Sequence, residues 1–304
     1  MDRKESASVP DPHCQFMKRF RLSRVWLLIV PLAFLGATPG PSRVEKTVDT
    51  TADPLISLSN LKGHVTVKGW EKSQVHLVSV SASPRIEVDV EQFPPSGRAA
   101  KMHFATHILD PQLGDKSTDY SLDVPLGSSL QIRNPEGSVQ IQTLQGEASL
   151  DSVGGTISVS DVAGHLAIRS IGGDIEMVRP SGRVEADSVN GSVRIVSASS
   201  SRLRVSTTSG KIFYEGDFLP GGVYELKDYN GDMEILAPAS ASFEVNASTV
   251  RGKVIADPDI SFKPKRHPAF RPPGSSSLFG THNTGSANLD LTSFSGTIRI
   301  RRLP

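Results

Sequence analysis

Cysteine is almost missing from this chain: its 304 residues hold one, Cys14, which lies ahead of an apolar N-terminal run. Once that run is removed no thiol is left, which excludes disulfide staples, cysteine nucleophiles and thiolate metal sites. Net charge is also missing, with 33 Lys+Arg against 32 Asp+Glu. A balanced total excludes a global attraction to nucleic acid. No apolar run reaches the roughly 20 residues a membrane-spanning helix requires. No Gly-x-x-x-x-Gly-Lys-Ser/Thr phosphate loop occurs, and no convincing Gly-x-Ser-x-Gly nucleophile elbow. Apolar residues make up 37%, mostly Val, Ile and Leu, among abundant Ser, Thr and Gly. That mixture favours strands and turns over helices.

The N-terminus reads as an address. Met17 to Arg24 (MKRFRLSR) is basic, and Val25 to Ala37 (VWLLIVPLAFLGA) is apolar and contains Pro31. A basic stretch, a short apolar stretch and small residues make a secretory signal peptide, so residues 1–37 are an N-terminal extension plus signal. Cleavage after Ala37 is the expectation, and an uncleaved N-terminal anchor in the inner membrane is the alternative. Met17 is a better start than Met1, because the first sixteen residues add nothing a signal needs. No cysteine follows the run, which argues against a lipoprotein. The expected location is extracytoplasmic: periplasm, cell envelope or secreted.

The centre of the chain repeats. Glycine recurs every nine residues at Gly137, Gly146, Gly155, Gly164, Gly173, Gly182 and Gly191, each followed by a polar–apolar alternation such as GSVQI, GTISV and GSVRI. Alternation of this kind is a half-buried strand. Alternate units resemble each other most: Ser152, Ser170 and Ser188 align, as do Val153, Ile171 and Val189. The predicted unit is therefore two strands and two turns, about 18 residues, stacked on itself. The expected fold is all-β: a parallel β-solenoid over 137–256, preceded by a β-rich capping module over 44–136. A Pro/Ser-rich loop (257–277) and closing strands (278–304) follow. Inward columns should read Ile157–Ile175–Val193 and Leu150–Ile168–Ala186. An antiparallel meander with four-residue turns is the competing arrangement.

Outward columns carry the candidate binding surface. One reads Asp151–Arg169–Asp187 and the other Glu147–His165–Arg183, each mixing charge signs. Their plain reading is a solvated face whose neighbours avoid like-charge contacts; their functional reading is a ligand face. The loop offers a basic patch at Lys263, Lys265, Arg266, His267 and Arg271, which could touch anionic lipid or polysaccharide.

Catalysis and metals find little support. His103 and His107 have a helical chelate spacing but sit in a strand-like segment, where four residues span about 13 Å. His64 and His76 read as surface residues. The Gly-Gly pairs lack the repeated aspartates of a calcium-binding nonapeptide roll, since Asp174 is matched by Thr156 and Ser192. Asp151 and Asp187 would sit roughly 9–10 Å apart, as an inverting glycosidase requires. Arg169 between them, however, favours two charged carboxylates over the one protonated acid that mechanism needs. No cofactor, metal or catalytic residue is expected.

The chain resembles the bacterial putative-adhesin family of domains of unknown function. The resemblance rests on Asn60 to Trp70 (NLKGHVTVKGW), on Asp119 to Gly127 (DYSLDVPLG) leading into the repeats, and on the run of S-x-x-G-x-I-x-V units, together about residues 45–256. It implies a β-helical envelope or surface protein with no established reaction. The expected function is a non-enzymatic, adhesin-like binding or scaffold protein. Its partner would be an envelope protein or polysaccharide, not nucleic acid, and its oligomeric state is open. A polysaccharide-active enzyme on a β-helix and a self-assembling structural protein are the alternatives.

Overall fold

The computed structural model describes residues 40–264 and 275–303. Among them there is no helix, and 22 strands are present. The first nine are β1 (Ser42–Ser59), β2 (Val65–Trp70), β3 (Gln74–Ser81), β4 (Ile86–Phe93), β5 (Ala99–Ile108), β6 (Thr118–Pro125), β7 (Ser129–Arg133), β8 (Val139–Leu144) and β9 (Ala148–Ser152). The repeats continue with β10 (Ile157–Ser170), β11 (Ile175–Val178), β12 (Ser181–Ser188), β13 (Val193–Thr207), β14 (Ile212–Gly216), β15 (Val223–Asp228) and β16 (Met233–Ala237). The chain ends with β17 (Phe243–Thr249), β18 (Lys253–Ala256), β19 (Lys263–Pro264), β20 (Ser276–His282), β21 (Ala287–Ser293) and β22 (Thr297–Arg302). The signal segment and the loop residues Lys265, Arg266, His267 and Arg271 lie outside the described residues.

Period-two alternation decides which side chains face inward. In β9, Ala148, Leu150 and Ser152 are buried while Ser149 and Asp151 are exposed. In β21 every second residue from Ala287 to Ser293 is buried. The strands stack as rungs on two faces that share one core. The first face carries Ile157 beside Ile175 and Ile175 beside Val193. The second carries Leu150 beside Ile168 and Ile168 beside Ala186. These parallel registers are those the 18-residue likeness requires. Beyond β13 the register lengthens, with Val193 beside Ile212 and Ile212 beside Met233. Here the core is filled by aromatic rings: Phe218 lies 5.4 Å from Tyr214, 4.9 Å from Tyr224 and 4.7 Å from Phe243, centroid to centroid.

The expected architecture, a parallel solenoid with a capping module in front, is not what forms. Strands β1, β7, β9, β10, β8, β2, β6 and β3 pair in turn, and β3 pairs back to β1, so eight strands close into a barrel. Its β3–β6 and β3–β1 pairs are antiparallel. Closure is possible because the long strands β1 and β10 bend and contribute to both faces. It gives each of the eight strands a neighbour on both sides, which leaves no open edge within that ring. Strands β1, β2, β3, β6 and β7 of residues 44–136 are therefore part of the barrel wall rather than a lid on it, with Val65 of β2 beside Val139 and Leu58 of β1 beside Ile132; β5 and β4 extend the sheet outward from β1.

The chain's last strands overturn a second expectation. They do not close the end of the stack. Strand β21 lies between β15 and β17, and β22 lies between β16 and β18. The chain lays down β17 and β18, returns through β20 antiparallel to β17, and inserts its C-terminal strands into the gap.

Candidate functional site

One corner of the structure is built from a four-residue motif: a small polar residue, an apolar residue, any residue, then glycine. It occurs at Asn60, Asn134, Ser152, Ser170, Ser188, Asp228, Ser293 and Thr249, with Thr207-Thr208 as a polar version. The glycines form a ladder. A Cβ on Gly173 would collide with the carbonyl of Gly155, one on Gly231 with Gly210, one on Gly296 with Gly231, and one on Gly252 with Gly296. Gly173, Gly231, Gly296 and Gly252 are therefore required by close rung-to-rung approach rather than by turn flexibility. The ladder runs through the inserted C-terminal strands in their spatial order.

The polar residue before each glycine closes the turn. Ser170 Oγ accepts from the Gly173 N–H at 3.1 Å and donates to the Gly173 carbonyl at 2.9 Å. Ser188 Oγ accepts from the Gly191 N–H at 3.0 Å, and Ser152 Oγ donates to the Gly154 carbonyl at 3.1 Å. Asn60 donates to Asn134 Oδ1 at 3.0 Å, continuing the ladder in amides. These hydroxyls are committed to backbone, and among the described residues no general base is hydrogen-bonded to them.

Asp228 takes the same place with different chemistry. It is 5% exposed, and among the described residues neither carboxylate oxygen has a partner of good geometry. Burial pushes its carboxyl up to about 6, against the pull of the Gly231, Asn230 and Tyr229 N–H groups that face it; the Asp232 charge adds to the rise.

The apolar residue after each polar one points outward. Val153, Ile171 and Val189 are 51%, 50% and 42% exposed, and Leu61, Tyr229 and Val250 continue the stripe. Tyr229 and Phe294, one rung apart, stack with centroids 4.6 Å apart. Along Val153, Ile171 and Val189 runs an open groove of about 470 Å³. Its other wall is charged. Arg133, Asp151, Arg169 and Asp187 stand on successive rungs, each beside the next. All four are exposed, and none forms an ion pair within 4.0 Å among the described residues. At a different corner the chain does close such pairs: Arg179 grips Asp161 at 2.7 and 2.6 Å.

The structure thus divides the six expected surface residues. Asp151, Arg169 and Asp187 line the groove. Glu147, His165 and Arg183 begin the same rungs, about 13 Å away along the strands. There His165 stands beside Arg183, and its Nε2 is 3.8 Å from Glu185. His103 and His107 both lie on β5, and His107 pairs with Asp89 across the sheet at 3.1 Å. Sequence reasoning aligned Ser152 with Ser170 and Val153 with Ile171 but missed Arg133, the outward apolar stripe and Asp228. Reading the four-residue motif along the whole chain would have found all three.

Residues 181–301 match the model of the Toastrack DUF4097 family. The stretch begins at β12 and excludes the Asn60–Trp70 and Asp119–Gly127 motifs. Among solved structures the chain is similar to a putative cell adhesion protein from Clostridium sporogenes. The likeness has 10% identity, covers 86% of this chain and 100% of that one, and has a TM-score of 0.31. No curated protein matches the sequence.

Proposed function

We propose that the chain is an exported, non-enzymatic binding module of the bacterial envelope or surface, and that it binds through the corner groove. The observation that carries this reading is the charged wall. Four side chains of alternating sign stand unpaired beside an exposed apolar stripe, on a rigid ladder of hydrogen-bonded turns. Charges needed only for mutual compatibility would be expected to pair with each other, as Arg179 and Asp161 do. The match to a family of domains without an assigned reaction agrees with a binding role, and the basic-then-apolar stretch at 17–37 supports export.

The test is capture of envelope fractions and glycans by the full chain and by an Asp151→Lys/Arg169→Glu/Asp187→Lys variant. The expected result is a bound component that the variant loses while its thermal unfolding is unchanged. Capture that is equal for both proteins removes the groove from the reading. Turnover of a polysaccharide that ends with Asp151→Asn would replace binding with catalysis.

A further inference from the structure

The geometry points to a second copy of this chain as the groove's occupant, docked antiparallel about a two-fold axis between the Asp151 and Arg169 rungs. This inference rests on the binding reading above and names its partner.

Two observations carry it. The first is the order of the charges. Along the stack the wall reads Arg133, Asp151, Arg169, Asp187, which is plus, minus, plus, minus. An isologous two-fold contact lays a patch on its own reversed copy. Reversal of this series places Arg133 opposite the partner's Asp187 and Asp151 opposite the partner's Arg169, and each pair forms twice. Every rung then meets its opposite charge. The same operation sets Val153 on the partner's Ile171 and Pro135 on the partner's Val189, so the apolar stripe meets itself. One rung further out on each side, Ser59 meets the partner's Ser206, which introduces no charge clash. A parallel arrangement would instead set Arg169 on Arg169 and Asp151 on Asp151.

The second observation is the repeat length. Rungs of a sheet are about 4.8 Å apart. An extended peptide presents same-side residues about every 6.8 Å, and a helix advances 5.4 Å per turn. Neither stays in step with the wall across four rungs. A second β-stack has the same spacing and stays in step throughout. Among the described residues the four wall charges carry no ion pair, so the contact breaks no salt bridge there.

Sedimentation equilibrium of the full chain tests this across a dilution series, at low and high salt. The expected species is a dimer whose dissociation constant rises with salt. Arg169→Asp alone replaces both central pairs with like-charge contacts and should weaken the dimer roughly ten-fold or more. Asp151→Arg/Arg169→Asp exchanges the partners, recreates the pairs and should restore wild-type affinity. No unrelated partner would predict that rescue. A geometric check needs no affinity: in a Cys14→Ser background, copies carrying Val153→Cys should form mixed disulfides with copies carrying Ile171→Cys, and not through Leu61→Cys.

A wild type that stays monomeric at its highest concentration overturns the inference, as does a double variant no tighter than the single one. If the monomer still captures envelope material through the groove, the second copy falls and the binding reading stands. If dimer and rescue are seen but capture is absent, self-association is the groove's use and an external partner is removed.

Discussion

Replacing Asp228 with serine should stabilise the protein at neutral pH and flatten part of its pH dependence. Asp228 occupies a corner position that Ser170 and Ser188 fill with a hydroxyl bonded to the turn. A carboxylate cannot donate to the turn carbonyl, and burial raises its folded value to about 6 from 3.8. In the window between these values the folded chain holds the proton more tightly than the unfolded chain. Stability therefore falls as pH rises through that window. About two pH units at roughly 1.4 kcal/mol each sets an upper bound near 3 kcal/mol. The serine adds about 1 kcal/mol if it regains the turn hydrogen bond. Urea unfolding at about pH 4 and pH 7.5 measures the effect. Asp228→Asn should exceed the wild type by about 1–3 kcal/mol at the higher pH and converge with it at the lower, and Asp228→Ser should show the same pH-dependent gain on top of its turn hydrogen bond of about 1 kcal/mol. Other carboxylates act with the opposite sign. Asp161, held low by Arg179, Glu225, held low chiefly by Lys227, and Asp232, held low chiefly by the Thr297 N–H, lose their contribution as pH drops into the carboxylate range. The difference between wild type and variant cancels them. A variant no more stable than wild type at pH 7.5, or a difference that does not change with pH, would refute the reasoning.

Further outcomes follow from the glycine ladder and the strand order. Gly173→Ala drives a Cβ into the Gly155 carbonyl and should cost about 2–3 kcal/mol, whereas Gly154→Ala, which meets open space in the neighbouring corner, should be near neutral; thermal unfolding separates them. Deleting residues 287–302 removes β21 and β22 from within the stack. It should expose the chain to protease back to about Val223, because β15, β16, β17 and β18 all lose a partner. If those strands closed the end of the stack, only the last rung would become sensitive.

Much of the local structure was legible because alternation is a local property. Ile157, Ile175 and Val193 face inward, and Asp151, Arg169 and Asp187 outward, from pattern alone, since a strand turns every second side chain to the same side. The 18-residue likeness also named neighbours in the central rungs, because identical turns stack only in one register.

The sequence by itself determined an all-β chain, its inward columns and the outward column of Asp151, Arg169 and Asp187. Only the tertiary structure decided which rungs outside the central repeats lie beside which. Every corner motif carries the same small polar residue and glycine, so local sequence lets many rungs neighbour many others. Their order depends on pairings between strands distant in sequence and on the return of β20 along β17. Those are long-range conditions. They close β1, β7, β9, β10, β8, β2, β6 and β3 into a barrel, slide β21 and β22 between earlier strands, and gather Arg133 from outside the repeats onto the wall with Asp151, Arg169 and Asp187.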